Sequence, residues 1–203
     1  MRTYTFRLFG SVILTLVCLM FWTPNAQAIL IDDFNSQNGG VGAFNYDFMG
    51  GTTGWTVTSG TVDLIPTKYG GFNFFPLNGH YIDLDGSTKQ AGILATTTTF
   101  VAGNYTVTFD LAGSQRGDKN TVVVSLGSWS DSFIDIPSNY PLTTITRSFS
   151  TSGGHLTFHN LGGDNLGAIL DNVSVTSVPE PSILLLFGAG LVGLGLIRKK
   201  FKN

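Results

Sequence analysis

From Ile29 to Thr176 the apolar residues fall at every second position or in short β-branched runs, and the spacing of an amphipathic helix is nearly absent. In Tyr105-Thr106-Val107-Thr108-Phe109-Asp110-Leu111 the apolar positions alternate strictly, which places them on one face of a pleated strand. Trp55-Thr56-Val57-Thr58, Ser59-Gly60 and Thr61–Ile65 together predict a hairpin with a Ser-Gly turn. Further strands are expected at His80–Leu84, Gly92–Phe100, Thr121–Leu126, Ser132–Ile136, Thr143–Phe149, His155–His159 and Ala168–Thr176. So many short strands at close spacing predict an all-β fold, a single jelly-roll-like β-sandwich of two sheets. Lys68–Leu77 carries four aromatic residues but is broken by Gly and Pro, and is expected to be a loop.

The two ends depart from this pattern. Arg2 and Arg7 precede an uncharged, mostly apolar run from Leu8 to Trp22; Thr23-Pro24-Asn25 breaks it, and Ala26-Gln27-Ala28 offers small residues at the positions signal peptidase reads. These flanks predict a secretory signal over residues 1–28, cleaved after Ala28, with an uncleaved anchor as the competing reading. Cys18, the chain's single cysteine, lies within this segment behind Thr15-Leu16-Val17, which lack the small residues of a lipoprotein signal. The mature body therefore has no disulfide and must rest on its core. Residues 29–177 suffice for one domain with a substantial core.

At the other end, Val178-Pro179-Glu180-Pro181 is held extended by its two prolines. Residues 183–197 then contain no charged side chain, and as a helix of fifteen residues they would span about 23 Å, short of the ~30 Å hydrocarbon core. A short transmembrane helix of this kind inserts with local thinning and snorkelling of its basic flank. Arg198, Lys199, Lys200 and Lys202 form that flank, a stop signal that stays cytoplasmic and leaves the body outside. The domain order expected is thus signal 1–28, β-sandwich 29–177 and C-terminal signal 178–203.

Charge sharpens the picture. Residues 29–177 hold twelve Asp and no Glu against Lys68, Lys89, Arg116, Lys119 and Arg147, a formal charge of −7. Such a body excludes nucleic acid as a partner, because phosphates require a basic face. Asp without Glu also suits strands and turns better than helices.

Two resemblances follow from these residues. VPEPSILLLFGAGLVGLGLIRKKFKN closely resembles the PEP-CTERM sorting signal: motif, apolar helix and basic cluster in order. That resemblance implies processing by an exosortase near the Pro-Glu-Pro, transient anchoring in the membrane, and delivery to the surface or matrix of a Gram-negative bacterium that makes exopolysaccharide. HYIDLDGS (80–87), GILATTTTFVAGNYTVTFDLAG (92–113) and LDNVSV (170–175) resemble the galactose-binding-like jelly rolls of carbohydrate-binding modules. This second resemblance implies a structural calcium held by Asp171 at the last strand with Asp32 or Asp33 near the first. The alternative is that Asp171 and Asn172 make only a turn or bulge hydrogen bond.

Catalytic patterns are missing from the body. It has no cysteine nucleophile, no G-x-S-x-G, no H-E-x-x-H and no glutamate. His155 and His159 share a strand face but lack a third ligand nearby, and solvent-facing histidines are the expectation. The Asp83/Asp85 pair of IDLDG is attributed to strand and turn preference. For sugar contacts the candidates are Tyr69, Phe72 and Trp129, with Phe74 and Phe75 in the same aromatic loop; the alternative is that these rings cap the core. The reading is an exported, non-enzymatic surface or matrix protein associated with exopolysaccharide or biofilm. Its rivals are a carbohydrate-binding module with a defined glycan and, with least support, a glycan-acting enzyme.

Overall fold

The structure, a computed structural model, describes residues 27–47, 54–66, 72–75 and 79–179, together with Gly188 and Gly190. Gln27–Val178 is one compact unit. Its strands are β1 (Gln27–Asp32), β2 (Trp55–Ser59), β3 (Asp63–Ile65), β4 (Tyr81–Asp83), β5 (Ile93–Thr96), β6 (Gly103–Ala112), β7 (Lys119–Leu126), β8 (Trp129–Pro137), β9 (Thr143–Thr151), β10 (Leu156–Asn160) and β11 (Ile169–Ser177). One sheet runs β3-β4-β11-β6-β9, with β1 also on β11; the other runs β2-β5-β10-β7-β8. The strand pairs are antiparallel in both sheets. This is the two-sheet sandwich that the alternation predicts.

The core lies between the sheets because each strand turns one row of apolar side chains inward. Along β6 the buried row is Tyr105, Val107, Phe109 and Leu111; along β7 it is Val122, Val124 and Leu126 after Asn120. Phe158 of β10 meets Phe109 edge-on at 5.2 Å and Trp55 of β2 at 6.2 Å, which ties the inner faces together. Trp55 Nε1 donates to Asp32 Oδ2 at 2.8 Å, so the largest buried ring has its polar atom satisfied.

The expected hairpin at Ser59-Gly60 does not form. β2 pairs with β5 in one sheet, whereas β3 pairs with β4 in the other. Between them the chain crosses the sandwich at Gly60, whose φ is +63°, and a Cβ there would lie 2.0 Å from the Ala91 carbonyl oxygen. The physical reason is burial: all three residues of β3 are buried, and Trp55 must face the core from the opposite sheet. A Ser-Gly turn reads the same locally whether the next strand returns beside the first or changes sheet.

β4 takes the first two residues of β11, and β1 pairs with the later ones, so both share one edge of that strand. Two ends of the sandwich follow from this register. At one, Gln27 pairs with Ser177 and Gly103 with Thr151; at the other, Ile169 pairs with both Asp83 and Ala112. The eight steps along β11 separate these ends by about 26 Å.

Candidate functional site

At the Ser177 end lie the residues that sequence assigns to processing. Ala28 sits in β1 opposite Thr176, and Gln27 opposite Ser177. Val178 donates its N–H to the Asn104 carbonyl at 2.8 Å, the last backbone bond of the compact unit. Pro179 follows outside strand structure. Ala26, Glu180, Pro181, Arg198, Lys199, Lys200 and Lys202 lie outside the described residues. The same holds for the expected transmembrane helix, of which only Gly188 and Gly190 are described, both helical; among the described residues no helix is long and apolar enough to cross a membrane.

The residues implied for calcium are neighbours in the first sheet. Asp171 faces Asp110 across β11 and β6, and Asp32 pairs with Val173 two residues on. Asp171 is fully buried and its Oδ1 accepts the Asn172 N–H at 2.7 Å. Asn172 adopts φ 50° at a bulge between Asp171 and Ser174, and its Nδ2 donates to Asp110 Oδ2 at 2.8 Å. Desolvation pushes the Asp171 carboxyl up to about 8, opposed by the Asn172 hydrogen bond and reinforced by Asp110, Asp33 and Asp32. Asp32 accepts hydrogen bonds from Phe34 N, Gln37 Nε2 and Trp55 Nε1; Asp33 Oδ1 accepts the Asn35 N–H, and the Asn35 side chain above all, helped by that N–H, holds the Asp33 carboxyl below the usual range. Among the described residues no three acidic, histidine or cysteine side chains form a group fit for a metal.

The aromatic candidates are spread over two places. Trp129, at the start of β8, stacks on Phe149 of β9 at 3.8 Å with the planes 5° apart, so one ring face is covered where the two sheets meet. Phe72, Phe74 and Phe75 pack around a second core cluster of Ile65, Tyr81, Ala112 and Ile169. Phe72 also meets the exposed Phe44 edge-on at 5.7 Å and Phe74 at 6.0 Å. The Arg116 guanidinium lies 6.0 Å from the Phe72 centroid and 5.9 Å from that of Phe74. Tyr69 lies outside the described residues. His155 is exposed and bonded through Nδ1 to the Thr96 carbonyl, while Leu156 and Phe158 are buried.

A polar cluster that sequence reasoning passed over occupies the Ile169 end. Asp83 is buried and pairs with Arg116, which also donates to the Asn165 carbonyl at 2.9 Å. Burial pushes the Asp83 carboxyl up to about 7 against the pull of that guanidinium. Asn120 donates to the Leu166 carbonyl at 2.8 Å, and Asp85 accepts N–H groups from Gly163 and Asp164. The available signal was an Asp-x-Asp between apolar residues beside a chain with almost no Arg: a strand buried on both faces cannot leave such an Asp in solvent.

The fold and the first of these ends define an all-β sandwich followed directly by a processing region. Residues 177–200 match the PEP-CTERM protein-sorting motif, which implies export and transient membrane anchoring before exosortase processing. The sandwich is similar to the K3 cleaved adhesin domain of Lys-gingipain from Porphyromonas gingivalis (15% identity, 76% of this chain and 100% of that one, TM-score 0.49). It is also similar to the xylan-binding CBM22-1 domain from Paenibacillus barcinonensis (14% identity, 78% and 99% covered, TM-score 0.44). A third similarity is to the C-terminal CBM6 of a marine laminarinase from Zobellia galactanivorans (14% identity, 75% and 100% covered, TM-score 0.40). Comparison with curated proteins returns no match.

Proposed function

We propose that the chain is a non-enzymatic surface or matrix protein, released from its membrane anchor by exosortase cleavage near Pro179-Glu180-Pro181 and associated thereafter with the cell's exopolysaccharide or biofilm. The observation that carries this reading is the sorting motif at 177–200, which begins on the last residue of β11. Proline at 179 and 181 has no amide to extend the β ladder, so the segment suits the extended binding cleft of a protease. Replacing Pro179, Glu180 and Pro181 together with Ala is expected to leave export intact. The body should then stay in the inner-membrane fraction with its basic tail attached, as read by fractionation and terminal mass. A triple variant that loses its tail and reaches the surface refutes the reading.

Glycan binding is the second reading, supported by the rings of Phe44, Phe72 and Phe74 beside the half-buried Arg116 guanidinium. Rings flanked by a guanidinium that donates hydrogen bonds match the apolar face and hydroxyl rim of a sugar. Phe72→Ala is expected to weaken retention on the organism's exopolysaccharide by about fivefold or more, the equivalent of ~1 kcal/mol per stacked ring. Unchanged retention removes this reading and leaves the sorting proposal standing.

A further inference from the structure

The loops that close the Ser177 end come from both sheets. The β5–β6 connection, residues 97–102, meets the β9–β10 connection through reciprocal backbone bonds between Phe100 and Gly154 at 2.8 and 2.9 Å. The β7–β8 turn joins them, with Ser128 Oγ accepting the Ser152 N–H at 3.0 Å. The start of β1 and the end of β11 complete this end, with Val178 bonded to Asn104 at the start of β6.

Charge is missing here. Residues 27–31, 97–104, 127–130, 149–157 and 174–178 contain no Asp, Glu, Lys or Arg. Asp131 and Arg147, each two residues inside Trp129 and Phe149, neutralise one another at 2.7 Å. The Ile169 end is the opposite, with Asp83, Asp85, Arg116, Asp118 and Asp164. At the neutral end Val101 is 74% exposed, Ile29 43% and Val178 42%. Trp129 is partly exposed there on its Phe149 partner, and Thr97, Thr98, Thr99, Ser128 and Ser152 are exposed among them. One exposed Val is ordinary on any surface. Apolar tips and a Trp among hydroxyls, without charge, suit the boundary between water and lipid.

Chain length brings that boundary within reach. Four residues, 179–182, separate Val178 from the uncharged run that begins at 183. Fully extended, they reach at most about 14 Å. A tether this short gives an effective concentration in the millimolar range, so a contact too weak to hold a free protein suffices. The body's formal charge of −7 does not oppose it. The first acidic side chain along the β1–β11 pair is Asp32, opposite Val173 and so about 13 Å in from Ser177. That exceeds the ~8 Å over which salt screens a charge. We propose that the Ser177 end of the sandwich docks on the lipid surface of the bilayer that holds the chain's own anchor, with Ile29, Val101, Trp129 and Val178 at headgroup level. The contact rests on the anchoring that the sorting motif implies, and it needs no anionic lipid.

The test is fluorescence quenching of the full chain in phosphatidylcholine vesicles with or without bromine on the upper acyl chains. Trp22→Phe removes the leader's own Trp, and Trp55 is fully buried, so quenching reports Trp129. Flotation of the vesicles reads anchoring separately. The floating chain should be quenched, with or without added salt. Val101→Asp should leave Tm and flotation unchanged, since this side chain is exposed, and should lower the docked-to-undocked ratio about tenfold, the worth of burying one apolar side chain. Ile134→Asp is the matched control: Ile134 is 72% exposed but lies farther along β8, and quenching should persist. A chain that floats without quenching overturns the docking and leaves the anchor standing. Quenching that survives Val101→Asp, or is lost equally with Ile134→Asp, also overturns the docking. So does quenching that varies with the number of chains per vesicle, which marks a second copy as the occupant. A chain that does not float overturns the anchoring, and the docking with it.

Discussion

Asp171→Asn isolates the most strongly perturbed carboxyl at the bulge in β11. Its carboxyl is raised from 3.8 to about 8, first by desolvation and then by Asp110, Asp33 and Asp32, against the Asn172 hydrogen bond. The folded chain therefore keeps a proton that the unfolded chain releases above about pH 4. Between about pH 4 and 8 the native state binds more protons, so stability falls as pH rises and the contribution present at low pH is lost. Each unit of pKa difference is worth about 1.4 kcal/mol, which sets a ceiling of about 6 kcal/mol for the whole window. Relaxation around the ionised group brings the expected difference to about 2–4 kcal/mol. Asn keeps an oxygen for the Asn172 N–H and carries no titratable proton, so from pH 5 to pH 8 the wild type should lose stability relative to the variant, whose advantage is greater at pH 8 than at pH 5. Urea midpoints at these two pH values, in chelator, measure the change. Asp83 and Asp85 are also raised by burial and add their own slope, so the comparison is between slopes, not absolute midpoints. Equal slopes in wild type and variant refute the argument.

Two further outcomes are expected. Gly60→Ala places a Cβ 2.0 Å from the Ala91 oxygen at a φ of +63°, and should cost at least about 2–3 kcal/mol in chemical denaturation; a loss under about 1 kcal/mol would show that the crossover between the sheets yields easily. Neutral residues at Arg198, Lys199, Lys200 and Lys202 remove the retention signal of a short span, so protease protection should show the whole chain slipped outward and unprocessed. Normal processing in that variant counts against the orientation argument.

What the sequence made legible follows from its periods. β6 through β11 were visible because strict alternation on a half-buried strand leaves a signature of period two, and the boundaries differ by only a few residues. The short strands β3 and β4 are buried on both faces, so they carry no alternation and their sheet membership was hidden. That is why the Gly60 crossover read as a hairpin. The Asp171–Asn172 bulge was legible as an alternative, since Asn takes a positive φ readily and offers its amide to a neighbouring carboxylate. Trp129 and Phe149 are twenty residues apart on different sheets, and nothing local to either shows that they stack. The approach of Asp85 and Asn160 to Gly162 was illegible for the same reason, since the two lie seventy-five positions apart.

The two ends of the sandwich divide its chemistry. The Ser177 end carries backbone contacts that finish the fold: β1 on β11, Val178 on Asn104, and the Thr and Ser hydroxyls of β6 and β9 paired across the sheet. The Ile169 end carries buried Asp83, Asp85, Asn120 and Asn160, together with Arg116 and the rings of Phe72 and Phe74. A sheet interior gains nothing in stability from so many buried polar groups, since a hydrophobic replacement of similar volume is often neutral or better. Their concentration at one end is therefore costly for the fold alone, and it falls about 26 Å along β11 from the residue where the sorting motif begins.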